Sequence, residues 1–207
     1  RPTLHIHAGE AMAILTGDLL LTLAFDELQE GAERAGRPEL ALRLIRELSQ
    51  ATSAMIAGQV LDTVGDPGPP HPTLARLRLT HAGKTGALIR ASCRMGALCG
   101  LASRPARARP APARVLESLT RYGEALGLMF QAVDDLLDVQ ATREQTGKRT
   151  GKDAKAGKLT YPGLLGAARA RREVEHLCRL GVEALEPLGG RGAALQRLCR
   201  EMAVRGR

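Results

Sequence analysis

Apolar residues along this chain recur at intervals of three and four, the period of helices that bury one face. Over residues 9–33, Met12, Ile14, Leu15, Leu19, Leu20, Leu23 and Leu28 follow that spacing, and no stretch alternates as a strand would. Gly36-Arg37-Pro38 ends this helix. Pro38 suits the first turn of the next, which carries Leu40, Leu44, Ile45, Leu48, Met55, Ile56 and Val60. Residues 65–72 hold four prolines and predict a loop. A broken helical pair is expected over 73–80 and 84–100. Lys84 then stands at a helix start, where open backbone N–H groups could meet a phosphate. A Pro/Ala/Arg linker at 103–112 is short enough to join neighbouring helices. A long helix over 123–139 follows, then closing helices over about 161–185 and 191–204. Tandem helices with short polar connectors predict an all-α helical bundle, one domain over residues 1–207.

The helix over 123–139 is apolar nearly all round, with Leu126, Leu128, Met129, Phe130, Val133, Leu136, Leu137 and Val139, which predicts burial. Yet Gln131, Asp134, Asp135 and Asp138 fall at i, i+3, i+4 and i+7, on one stripe. Carboxylates on a buried wall repel one another and lose hydration, at a cost on the order of several kcal/mol each. Something cationic has to compensate, and hard oxygen ligands at this spacing suit Mg²⁺. The alternative is a solvated acidic face, which should be wider than one stripe.

The lysines supply a complement. Of 30 basic residues only five are Lys: Lys84, Lys148, Lys152, Lys155 and Lys158. Four of them cluster shortly after the aspartates. A lysine is a compact point charge that binds phosphate oxygens without imposing a planar fork. The set reads as a cradle for a polyphosphate whose metals the aspartates hold. Alone, the run Thr146-Gly147-Lys148-Arg149-Thr150-Gly151-Lys152 would read as a basic, glycine-rich surface loop.

Phe130-Gln131-Ala132-Val133-Asp134-Asp135-Leu136-Leu137-Asp138 resembles the second aspartate-rich motif of the trans-type polyprenyl diphosphate synthases, which make farnesyl, geranylgeranyl and longer isoprenoid diphosphates. Gly83-Lys84-Thr85-Gly86-Ala87-Leu88-Ile89 resembles the family's lysine-threonine motif. Gly151-Lys152-Asp153-Ala154-Lys155-Ala156-Gly157-Lys158-Leu159-Thr160-Tyr161-Pro162 resembles its late lysine loop. Gly9-Glu10 to Gly17-Asp18-Leu19-Leu20, Gly58-Gln59-Val60-Leu61-Asp62 and Arg1-Pro2-Thr3-Leu4-His5 match three further segments in order. The family's first aspartate-rich motif, with its two arginines, would stand just before Arg1. It is absent, as are the N-terminal helices. The expectation is therefore the C-terminal two thirds of a synthase, a bundle of the isoprenoid synthase type lacking those helices and inactive alone.

The resemblance implies a mechanism of ionisation, condensation and elimination that joins isopentenyl diphosphate to an allylic diphosphate. It assigns Mg²⁺ to Asp134, Asp135 and Asp138, and diphosphate charge to Lys84, Lys148 and Lys158. Thr85 and Gln131 would stabilise the allylic carbocation through their dipoles. Gln59 and Asp62 would face the same cavity, against the reading of polar residues satisfied by a neighbouring helix. Farnesyl or geranylgeranyl diphosphate is the expected product, and a homodimer the expected assembly. The rival that keeps the fold is a non-catalytic small subunit that retunes a competent synthase. The intact set of Asp134, Asp135, Asp138, Lys84 and Lys158 argues against it.

Charge and composition change this picture little. The net charge of +8 invites a nucleic-acid reading, but two Phe, two Tyr and no Trp are too few for stacking on single strands. The arginine clusters are scattered rather than set on one recognition helix. The longest apolar run, near Leu19 to Phe25, is interrupted by Thr22 and too short to span a bilayer. Cys93, Cys99, Cys178 and Cys199 show no zinc spacing, which predicts reduced thiols in a cytoplasmic protein.

Overall fold

Among the described residues every regular element is a helix. The computed structural model describes residues 2–64, 73–105, 111–146 and 159–205, with residues 141–146 as backbone alone. The proline-rich loop and Lys148, Lys152, Lys155 and Lys158 lie outside the described residues. The chain divides into two compact units, Arg1–Ser49 and Gln50–Arg207.

In the first unit a short helix, α1 (Leu4–Ala8), precedes α2 (Glu10–Arg34). The turn after α2 sits where Gly36-Arg37-Pro38 predicts it. Gly36 adopts φ +64°, and the N–H of Arg37 reaches back to the carbonyl of Ala32 at 2.8 Å, so the glycine closes the helix end. Pro38 then opens α3 (Pro38–Thr63), where its missing N–H costs nothing. Ala32, Leu40, Ala41 and Leu44 are buried, whereas Met12, Ile14, Leu15, Leu19, Leu20 and Leu23 of α2 are exposed.

The second unit holds the rest of α3, then α4 (Leu74–His81), a π-helical turn (Ala82–Gly86) and α5 (Ala87–Ala102). The expected break before Lys84 is not there. His81 and Ala87, which flank the π turn, both have right-handed helical dihedrals, so α4 runs through the turn into α5. Lys84 therefore stands inside a continuous helix and not at an open N-terminus, and its anion-binding rationale rests on its side chain alone. The extra residue of a π turn widens one helical turn without ending the ladder, which a pattern of spacing reads as a break.

The central helix α6 (Pro112–Thr146) is longer than expected at both ends. Leu119, Tyr122, Leu126, Met129, Val133 and Leu136 line its buried side at alternating intervals of three and four. They pack with Val174, Leu177 and Ala184 of α8 (Ala167–Ala184) and with Leu77 and Ala97 in one cluster. The closing helix expected over 161–185 is instead α7 (Tyr161–Leu165) and α8, divided at Gly166 with φ +77°. A 3₁₀ segment (Glu186–Gly192) leads to α9 (Ala193–Arg205). The Tyr122 hydroxyl donates to the carbonyl of Leu195 at 3.0 Å and ties α9 to α6. All four cysteines are free thiols, with Cys178 and Cys199 facing each other at 3.9 Å across α8 and α9.

Candidate active site

The π turn brings Lys84 and Thr85 out of one widened helical turn, and glycines let neighbours press on it from two sides. A methyl group at Gly58 of α3 would overlap the backbone nitrogen of Lys84, and one at Gly127 of α6 would lie 2.5 Å from the Gly86 Cα. Lys84 Nζ donates to Asp62 Oδ2 at 2.6 Å, with both side chains largely buried. Asp62 is thus the partner that holds the lysine head. Gln59 does not join them: it is exposed and donates through Nε2 to Thr63 Oγ1 at 2.9 Å on its own helix.

The four polar residues of α6 do not act as one stripe. Asp134 and Asp138, one turn apart, are exposed along with Phe130, so the helix has an open side and is not buried all round. Asp135 is turned inward and only 6 % exposed. Its Oδ1 accepts from Gln131 Nε2 at 3.1 Å, and its Oδ2 accepts from the backbone N–H of Tyr161 at 2.9 Å. Gln131 Oε1 in turn accepts from Thr85 Oγ1 at 3.1 Å. Burial pushes the Asp135 carboxyl up to about 6, the bonds from Tyr161 and Gln131 pull it down, and the charges of Asp134 and Asp138 add to the rise.

Two participants escaped sequence reasoning as site residues, His81 and Tyr161. His81 is 3 % exposed, and Tyr161 is fully buried. Their rings meet with centroids 5.6 Å apart at a 45° tilt. Burial holds the His81 imidazole down to about 4; Asp62 draws it up and Lys84 presses it further down. The Tyr161 hydroxyl is pushed up to about 12, chiefly by burial. Arg78, half-buried one turn before His81, donates to Glu173 of α8 at 2.6 Å. The available signal was position: His81 stands three residues before Lys84, and Tyr161 lies within the late lysine motif.

Among the described residues, no three His, Cys, Asp or Glu side chains converge to hold a metal ion by themselves. Asp134 and Asp138 nevertheless fit Mg²⁺ as donors, since this ion takes one or two carboxylates and completes its shell with water and substrate phosphate oxygens.

The matching family description is polyprenyl synthetase, over residues 1–183. The chain belongs to this family. Among curated polyprenyl synthetases, it is 42 % identical over 193 residues to the farnesyl diphosphate synthase of Escherichia coli (strain K12), covering 90 % of this chain and 60 % of that protein. It is 39 % identical over 188 residues to geranylgeranyl pyrophosphate synthase 11, chloroplastic, of Arabidopsis thaliana, covering 89 % of this chain and 50 % of that protein. A solved geranyltransferase from Helicobacter pylori, complexed with magnesium and isoprenyl diphosphate, superposes with a TM-score of 0.73 at 30 % identity, over 98 % of this chain and 62 % of that one. The expected all-α bundle of the isoprenoid synthase type is thus the fold of this chain. The chain spans about half to three fifths of the length of these curated relatives.

Proposed function

We propose that the protein containing this chain is a trans-prenyltransferase that condenses isopentenyl diphosphate with an allylic diphosphate to give farnesyl or geranylgeranyl diphosphate. The observation that carries the proposal is the hydrogen-bonded run Thr85–Gln131–Asp135–Tyr161 beside Lys84, with Asp134 and Asp138 directed outward from the same helix. Lys84, with Lys148 and with Lys158 of the late lysine motif, offsets negative charge that grows on the leaving diphosphate. Asp62 holds Lys84 ready for that role. The Thr85 hydroxyl and the Gln131 amide present oxygen dipoles where the allylic C–O bond breaks and positive charge appears. The double bond of isopentenyl diphosphate attacks that carbon, and the proton shed from the new cation goes to the released diphosphate. Mg²⁺, held by Asp134 and Asp138, would supply Lewis-acid neutralisation of the diphosphate oxygens. Asp135, with both oxygens already bonded, serves as an anchor rather than a ligand, in place of the metal role expected from the motif.

The relatives named above differ in product, so both products stay within the proposal. A homodimer belongs to the same proposal, supported by the exposed apolar residues of α2. So does a cytoplasmic location with no nucleic-acid partner, supported by four free cysteines and by few aromatic residues. No described helix is long and apolar enough to cross a membrane.

The test is the full-length protein with Mg²⁺, labelled isopentenyl diphosphate and an allylic diphosphate, with products separated by chain length. Labelled prenyl diphosphate that disappears in Lys84→Ala is the expected result. A full-length protein that binds a synthase but makes no product alone would identify the regulatory subunit instead.

A further inference from the structure

His81 Nδ1 is buried with no hydrogen-bond partner among the described residues. An unbonded buried nitrogen costs on the order of 1–3 kcal/mol, a cost that phenylalanine at position 81 would not carry. The ring of His81 nevertheless closes a circuit. Asp135 holds the backbone of Tyr161, Tyr161 packs on His81, and His81 leads directly into the π turn. Within that turn Thr85 bonds to Gln131, and Gln131 returns to Asp135. Three distant stretches of chain meet in this loop, and the only link without a hydrogen bond is ring on ring.

We infer that His81 is a positioning residue whose ring, seated on Tyr161, sets where the π turn presents Lys84 and Thr85. The inference rests on the prenyl transfer proposed above. Gly83 and Gly86 bracket Lys84-Thr85 and bring no side chains, and Ala82 is exposed. His81 is therefore the anchored side chain nearest the start of the turn, as the Gly86–Gly127 contact is the anchor at its end. Centroids 5.6 Å apart lie within the usual contact distance of ring pairs. Burial keeps the imidazole uncharged, so Asp62 has no second cation beside Lys84 to share itself with.

The test uses the full-length protein with His81→Phe, which keeps a ring, and His81→Leu, which keeps bulk without one. The side-chain amide of Gln131, followed by ¹H–¹⁵N NMR, reads the circuit whatever the protein turns over. In His81→Leu that resonance should move, and kcat should fall on the order of tenfold to a hundredfold with a smaller change in KM. His81→Phe should restore both. Should His81→Leu melt below the assay temperature, His81→Met fills the site in its place. An unmoved Gln131 resonance in the ringless variant overturns the inference, as does a His81→Phe variant as impaired as His81→Leu. Absence of turnover in the wild type counts against the proposed function alone, because the amide resonance still decides the positioning role.

Discussion

Asp135 and His81 both contact Tyr161 and are both buried against their charged forms, with opposite consequences for stability. Asp135 has its folded pKa raised from 3.8 to about 6, so the stability it contributes is present at low pH and lost as pH rises through that interval. His81 has its folded pKa lowered from 6.5 to about 4, so its contribution is present above 6.5 and lost as pH falls toward 4. Each is worth about 3 kcal/mol over its full interval, so the two nearly cancel between pH 4 and 6. Urea unfolding across pH 4.5–8 should expose this. Asp135→Asn should leave stability climbing with pH, from His81 alone; His81→Phe should leave it falling, from Asp135 alone. Parallel curves for wild type and both variants would contradict the burial seen for these groups. Asp134 and Asp138 behave differently, because they are exposed. Replacing either by Ala should change the unliganded melting temperature by no more than about 2 °C, as for surface positions generally. Under the proposed function, Mg²⁺ with inorganic diphosphate should raise the melting temperature of wild type, and the same substitutions should remove that rise.

At the scale of elements, the glycines divide into those that admit a neighbour and those that do not. Gly58 and Gly127 receive the backbone of the π turn, and Gly123 receives Arg90 Cα at 2.6 Å from where a methyl group would sit. Gly58→Ala or Gly127→Ala should destabilise by about 1–3 kcal/mol or more, the usual result of forcing atoms into a packed contact. Gly96 and Gly100 of α5 have nothing within 4 Å. Gly96→Ala should raise stability by about 0.5–1 kcal/mol through lower backbone entropy in the unfolded chain. Denaturation midpoints for this set test whether helix approach, and not glycine content as such, is what α3, α6 and the π turn require. Sequence spacing alone reads Gly123 and Gly127 as weaknesses in a helix. Their role appears only when α5 and the π turn lie against α6.

For the whole molecule, α2 is the element least accounted for by its own chain. Met12, Ile14, Leu15, Leu19, Leu20 and Leu23 are all exposed, and Met12, Leu15, Leu19 and Leu23 make an apolar stripe along one side of the helix. The proposed homodimer would cover it. Light scattering on full-length protein at micromolar concentration should give twice the monomer mass, and a monomer there would leave the patch to segments outside this chain. Replacing Leu15 and Leu19 by Glu should shift a dimer toward monomer.

Helical spacing, the Gly36–Pro38 stop and the order of the lysine and aspartate motifs were enough to specify an all-α fold and to single out the residues of the candidate site. These are local signals, written in neighbouring residues. The same signals misread the π turn as a break, since one extra residue shifts the period without ending the helix. They also put Gln131 and three aspartates on one face, because spacing says which residues share a side of a helix but not what lies opposite. Only tertiary packing turned Asp135 inward to the Tyr161 backbone, left Asp134 and Asp138 in the open, paired Lys84 with Asp62 and seated His81 on Tyr161. Each of those choices depends on groups tens of residues away in sequence, brought together by buried contacts that no short motif encodes.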